Sequence, residues 1–167
     1  FKPQSMVDVR EGKLKIGPNT IRDAHRIKEP LSLEQIVQKS SNIGTAKIAL
    51  DLPPENLAGI LAGAGFGASP RIGFPGATSG ILRPARKWKP IEHATISYGH
   101  GFSVSLLQLA HAYTIFSGTG ELMPVNLYRR ADEDRARAIR VSTRGGASDT
   151  IRGEPVIKPE TARAVRR

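Results

Sequence analysis

Residues 33–50, "LEQIVQKSSNIGTAKIAL", carry two helical patterns with a break between them. On the N-terminal side, "LSLEQI" holds a helix start. Ser32 stands at the N-cap and Gln35 at N3 as a capping box, with Leu31 and Ile36 as a hydrophobic staple. On the C-terminal side, Ile43, Ala46, Ala49 and Leu50 share one side of a second helix, roughly residues 42–51. Ser40, Ser41, Asn42 and Gly44 lie at the junction, and all four weaken a helix interior. Short polar side chains compete for the backbone, and glycine loses entropy on ordering. The first helix should therefore stop near Lys39. A tight turn of this kind can point a serine hydroxyl and an amide, two positions apart, into one cleft. The hydroxyl can accept and pass on a proton, and the amide offers a donor and an acceptor to a substrate peptide bond. Lys39 adds a positive field. The plainer alternative is an interhelical turn capped by serine.

Outward from this junction the pattern stays helical. Leu57, Ile60, Leu61 and Ala64 recur at i, i+3, i+4, i+7, with Gly65 at C′. In "VSLLQLAHAYTIF" the capping box returns as Ser105 with Gln108, and the staple as Val104 with Leu109, so a helix should run to about Phe116. Between these, residues 65–101 are rich in glycine and proline and read as a long ordered connection. Residues 1–30 read as irregular structure or a short hairpin, with Glu11-Gly12 as the turn of "VDVREGKLKIG". Residues 31–120 form the helical cluster, and 121–128, "ELMPVNLY", an edge strand with a proline at its middle. Residues 129–153 are a charged loop holding the acidic run Asp132–Asp134. Residues 154–167 open a further helix. The expected fold class is α+β, chiefly a helical subdomain, with most of a central antiparallel sheet supplied from outside the chain.

Several functions are excluded by pattern. The chain has 167 residues, a net charge of +10 and no cysteine, which removes disulfides and thiolate metal sites. The positive excess is spread through the chain, and no nucleic-acid-reading motif accompanies it, so a nucleic-acid partner is not expected. Gly63, Gly65 and Gly67 follow a helix instead of a strand and lack dinucleotide-binding spacing. "GATSG" has its serine one place too late for a nucleophile elbow. His25, His93, His100 and His111 have no metal-ligand spacing, and no cofactor is expected. The chain opens on Phe1 and no apolar run reaches the ~20 residues of a membrane span. It is expected to be a piece of a longer protein.

"LEQIVQKSSNIGTAKIAL", followed by "IEHATISYGHGFSVSLLQLAHAYTIFSGTGELMPV", closely resembles class B penicillin-binding proteins. The nearest branch is the division-specific, FtsI-type peptidoglycan transpeptidase. "TIRDAH" and "GFPGATSGILRPARKW" also resemble that family's intervening segments. The resemblance implies a serine acyl transferase. The serine of an S-x-x-K motif attacks the D-Ala-D-Ala carbonyl of a peptidoglycan stem peptide, the terminal D-Ala leaves, and an amine from a neighbouring stem resolves the acyl-enzyme. Ser40-Ser41-Asn42 then matches the second motif, S-x-N. Ser40 would shuttle the proton toward the leaving nitrogen, and Asn42 would hydrogen-bond the substrate amide. Ser41 and Lys39 are expected on the substrate-binding side. The family implies stem peptide and lipid-linked precursor as substrates, β-lactam antibiotics as ligands, and division-complex membrane proteins as partners. It also implies a place on the periplasmic side of the bacterial inner membrane.

The departures are specific. The chain contains neither S-x-x-K nor the strand motif K-T-G. In the family these lie upstream and downstream of the matched stretch, so the chain carries one of three catalytic walls and is expected to be inactive alone. The competing expectation is a non-catalytic helical module whose basic surface meets an anionic polymer or protein partner.

Overall fold

The computed structural model describes residues 1–2, 4–70, 72, 76–125 and 153–166. These form two compact units, and the boundary between them passes through a helix, α3 (Pro54–Gly63). The mixture of helices with short antiparallel strand pairs is α+β.

The first unit comprises Phe1–Gly59 and Leu82–Phe102. Its strands are β1 (Met6–Val7), β2 (Leu14–Ile16), β3 (Asn19–Ile21) and β4 (Leu31–Ser32). Its helices are α1 (Leu33–Gln38), α2 (Asn42–Leu50) and α4 (Pro90–Ile96). A 3-10 turn, Ala85–Lys87, precedes α4. The capping box at the start of α1 is formed in both directions. Ser32 Oγ accepts from Gln35 N at 3.2 Å, and Gln35 Oε1 accepts from Ser32 N at 2.9 Å. The core gathers Leu31, Ile36, Ile43, Ala46 and Ala94 with Val9, all 3% exposed or less. Each large aliphatic among them contributes about 1.5–3 kcal/mol by burial. The main helix contact in this unit is α2 against α4, and the small residues Ala46 and Ala94 sit in its core.

Two expectations are corrected in this unit. The turn at Glu11-Gly12 exists, with Gly12 at φ +67 and its N–H on the Val9 carbonyl, but its arms do not pair with one another. β1 pairs instead with β4, which joins buried Val7 to buried Leu31. The hairpin lies one step on, β2 against β3, turning at Gly17-Pro18. The stretch 65–101 also holds a helix, α4, with Pro90 at N1 and Glu92 at N3 reaching back to Lys89 N at 2.8 Å. Proline at N1 suits a helix start, since that N–H has no partner in the helix anyway.

The second unit comprises Ile60–Ile81 and Ser103–Arg167. Here lie α5 (Leu106–Ser117), β5 (Glu121–Leu122), β6 (Glu154–Pro155) and α6 (Pro159–Val165). Ala64, Ala112 and Ile115 form its core, flanked by Phe66, Leu122, Val156 and Ile157. β5 pairs with β6 and stops at Leu122, before Pro124, so the described strand is shorter than the 121–128 expected. The rest of that stretch and most of the charged loop, 126–152, lie outside the described residues. The ladder needs glycine at Gly120. Its φ is +93, and a Cβ there would run into the Ile157 carbonyl oxygen.

Candidate active site

The turn between α1 and α2 is built from backbone hydrogen bonds. Ser41 N donates to Ile36 O at 3.0 Å, and Ser40 N to Val37 O at 3.2 Å. With Lys39 as C-cap, this is the paired bonding of a Schellman motif, which requires a left-handed residue at C′. That residue is Ser40, at φ +50, the only non-glycine with positive φ among the described residues. At the end of α3 the same motif is closed by Gly65 at φ +87, with Phe66 N on Leu61 O and Gly65 N on Ala62 O. A left-handed conformation costs an L-residue about 1–2 kcal/mol that glycine does not incur. Ser40 is exposed, and its hydroxyl makes no hydrogen bond to a described residue.

Ser41 has the opposite fate. It closes α1 and is also the N-cap of α2, with only 1% of its surface exposed. Its hydroxyl accepts from Gly44 N at 3.0 Å and donates to Asp23 Oδ2 at 2.9 Å. With its hydroxyl enclosed and engaged in both directions, Ser41, expected on the substrate-binding side, is placed as a structural cap.

Asn42 is half-buried at the first helical position of α2, and its Nδ2 donates to Arg22 O at 3.1 Å. Lys39 is exposed and pairs with Glu29 at 3.2 Å, a surface contact worth about 0.2–1 kcal/mol. Lys39 also lines an open cavity of about 520 Å³ whose other walls are residues 23–29. Neither Ser40 nor Asn42 belongs to that lining. The turn thus brings the four expected residues together but sorts them. Ser40 faces solvent, Ser41 faces inward, Asn42 leans on Arg22, and Lys39 turns toward Glu29.

One residue of this site was not singled out by the sequence reading. Asp23, within the quoted "TIRDAH", accepts Ile43 N on Oδ1 at 2.9 Å and the Ser41 hydroxyl on Oδ2. It supplies a carboxylate at the N-terminus of α2, where the helix dipole favours negative charge. Its partners lie 18 and 20 residues on, so no local pattern displays the link.

Comparison with known proteins agrees with this architecture. Residues 1–167 match the penicillin binding protein transpeptidase domain family, and the chain belongs to that family. It is 43% identical over 130 residues to the probable peptidoglycan D,D-transpeptidase PenA of Neisseria flavescens, covering 77% of this chain and 32% of that protein. It is 35% identical over 113 residues to the peptidoglycan D,D-transpeptidase FtsI of Escherichia coli K12, covering 68% of this chain and 19% of that protein. The apo structure of the TP domain from Burkholderia pseudomallei penicillin-binding protein 3 superposes with a TM-score of 0.82 at 39% identity. That match covers 98% of this chain and 45% of that one. The chain therefore spans about a fifth to a third of these curated relatives and just under half of the solved domain.

Proposed function

We propose that this chain supplies the Ser-x-Asn wall of a peptidoglycan D,D-transpeptidase and acts as part of a longer polypeptide. In that reaction a serine nucleophile forms an ester with the penultimate D-Ala carbonyl, and the peptide bond to the terminal D-Ala breaks. The leaving nitrogen takes up a proton, which Ser40 relays, while Asn42 hydrogen-bonds the stem-peptide amide. An amine from a second stem then displaces the serine and forms the cross-link. Penicillin enters the same path, because opening of its lactam acylates the same serine. The site of action is the periplasmic side of the inner membrane during division, beside division-complex membrane proteins.

The observation that carries this reading is Ser40 itself, an exposed non-glycine residue held at φ +50 whose hydroxyl makes no hydrogen bond to a described residue. Backbone strain of this kind persists where surrounding structure over-determines it, and it concentrates at functional sites. The test is covalent labelling by a fluorescent penicillin. In the full-length protein, Ser40→Ala and Asn42→Ala should each slow acylation by about 10²-fold without unfolding it. Acylation at the unsubstituted rate in Ser40→Ala would overturn the reading. The 167-residue chain alone has no S-x-x-K serine and should carry no label after denaturation.

A further inference from the structure

The Ser40–Asn42 segment must be fixed at both ends to hold its two side chains in register. Its upstream end is set by the Schellman bonds to Ile36 and Val37. Its downstream end is set by one carboxylate. Asp23 Oδ2 takes the hydroxyl proton of Ser41, and Asp23 Oδ1 takes the N–H of Ile43. These residues stand on either side of Asn42, so the carboxylate brackets it. The adjoining Arg22 carbonyl takes one N–H of the Asn42 amide, and among the described residues Oδ1 and the second N–H have no partner, so both are open to a ligand. The dipeptide Arg22-Asp23 thus determines both the backbone on which Asn42 rides and the way its amide is turned.

From this geometry we infer that Asp23 is a positioning residue for acyl transfer, acting through Ser41 and Ile43 on Asn42 and Ser40. The inference rests on the reading that Ser40 and Asn42 face the substrate. The carboxylate is suited to the task in two ways. Its two oxygens accept from two donors that lie on either side of the residue to be held. Its charge also sits at the positive end of a nine-residue helix, where it is favoured. A displacement of about 1 Å in a reacting group lowers rates by up to about 10²-fold, so loosening this bracket should register in the chemical step.

The experiment is stopped-flow acylation of the full-length protein by a fluorescent penicillin, which separates pre-covalent affinity from the acylation rate constant. Asp23→Asn keeps the shape and one acceptor oxygen but sets an amide N–H₂ against the hydroxyl proton of Ser41. The expected result is an acylation rate constant about tenfold lower, with pre-covalent affinity within about twofold and a cooperative thermal melt retained. Ser40→Ala in the same series separates the two levels of the claim. If Ser40→Ala acylates normally, the underlying reading fails and this inference fails with it. If Ser40→Ala is slow while Asp23→Asn acylates within twofold of the unsubstituted protein, Asp23 is only a helix cap and the inference alone is overturned. A loss confined to pre-covalent affinity also overturns it. Should Asp23→Asn not fold, Asp23→Glu takes its place. It keeps the charge but moves the bracket by one methylene, and an unchanged rate constant there is equally decisive.

Discussion

Gly44 of α2 lies directly against Ile36 of α1. A Cβ on residue 44 would stand 2.7 Å from Ile36 Cγ1, 2.9 Å from Cδ1 and 3.1 Å from Ser41 Oγ. This contact lets the two helices meet immediately after the turn. Ile36 is 3% exposed and has little room to retreat. Alanine at residue 44 would gain about 1 kcal/mol in helix propensity but overpack by about 1–3 kcal/mol. Gly44→Ala should therefore destabilise the protein by up to about 2 kcal/mol in urea denaturation. A stabilising effect would mean that α1 and α2 are less closely apposed than this geometry requires.

Gln108 plays a comparable part in the second unit. It is 2% exposed, and the two N–H groups of its Nε2 are shared among the carbonyls of Gly65 at 3.1 Å, Ala68 at 2.9 Å and Ser79 at 2.8 Å, one of them bifurcated. Its Oε1 accepts from Ser105 N at 2.9 Å, closing the capping box of α5. One side chain thus ties a glycine-rich segment to a helix start. Gln108→Leu keeps the volume and removes every one of these bonds. Gly65 and Ser79 are half-buried and Ala68 is exposed, so each lost bond costs about 0.5–1.5 kcal/mol net. A loss on the order of 3 kcal/mol is expected, read as faster amide exchange along α5. Unchanged exchange there would contradict the assignment.

His93 gives the first unit a pH dependence. It is 6% exposed, its ring centroid lies 6.0 Å from that of Trp88, and its Nε2 has no hydrogen-bond partner among the described residues. Burial disfavours the imidazolium and lowers the pKa below the ordinary 6.5, with Glu55 opposing weakly. The folded value is the depressed one, so the unfolded chain binds the proton first as pH falls. Stability linked to His93 is whole above about pH 6.5 and declines below it toward the folded value. His93→Leu should flatten the change in unfolding free energy between about pH 7.5 and 5.5 relative to the unsubstituted protein. Parallel curves for the two proteins would exclude His93 as a source of the slope.

What the sequence discloses here is what nearest neighbours decide. The boxes Ser32/Gln35 and Ser105/Gln108 are spelled within four residues and are present in the structure. The break at Ser40 is equally local, since αL geometry and a competing hydroxyl both belong to the residue itself. The inward role of Ser41 could not be read in this way. Which of two adjacent serines is enclosed depends on Asp23, on a segment joined to it only by folding. The misplaced hairpin has a similar cause, because Val7 prefers a buried partner, Leu31, that is distant in the chain. Helix α4 was hidden by its flanks, where glycine and proline dominate the composition although Pro90 at N1 marks a start.

Ser40→Gly sets the needs of the fold against the needs of the chemistry. Glycine relieves about 1–2 kcal/mol of left-handed strain and adds about 0.5–1 kcal/mol of unfolded-chain entropy. The variant should therefore be more stable by roughly 0.5–1 kcal/mol. In the same preparation of the full-length protein, acylation by a fluorescent penicillin should fall by about 10²-fold. A Ser40→Gly protein that is both more stable and acylated at the unsubstituted rate would show that the hydroxyl at this turn serves no chemistry.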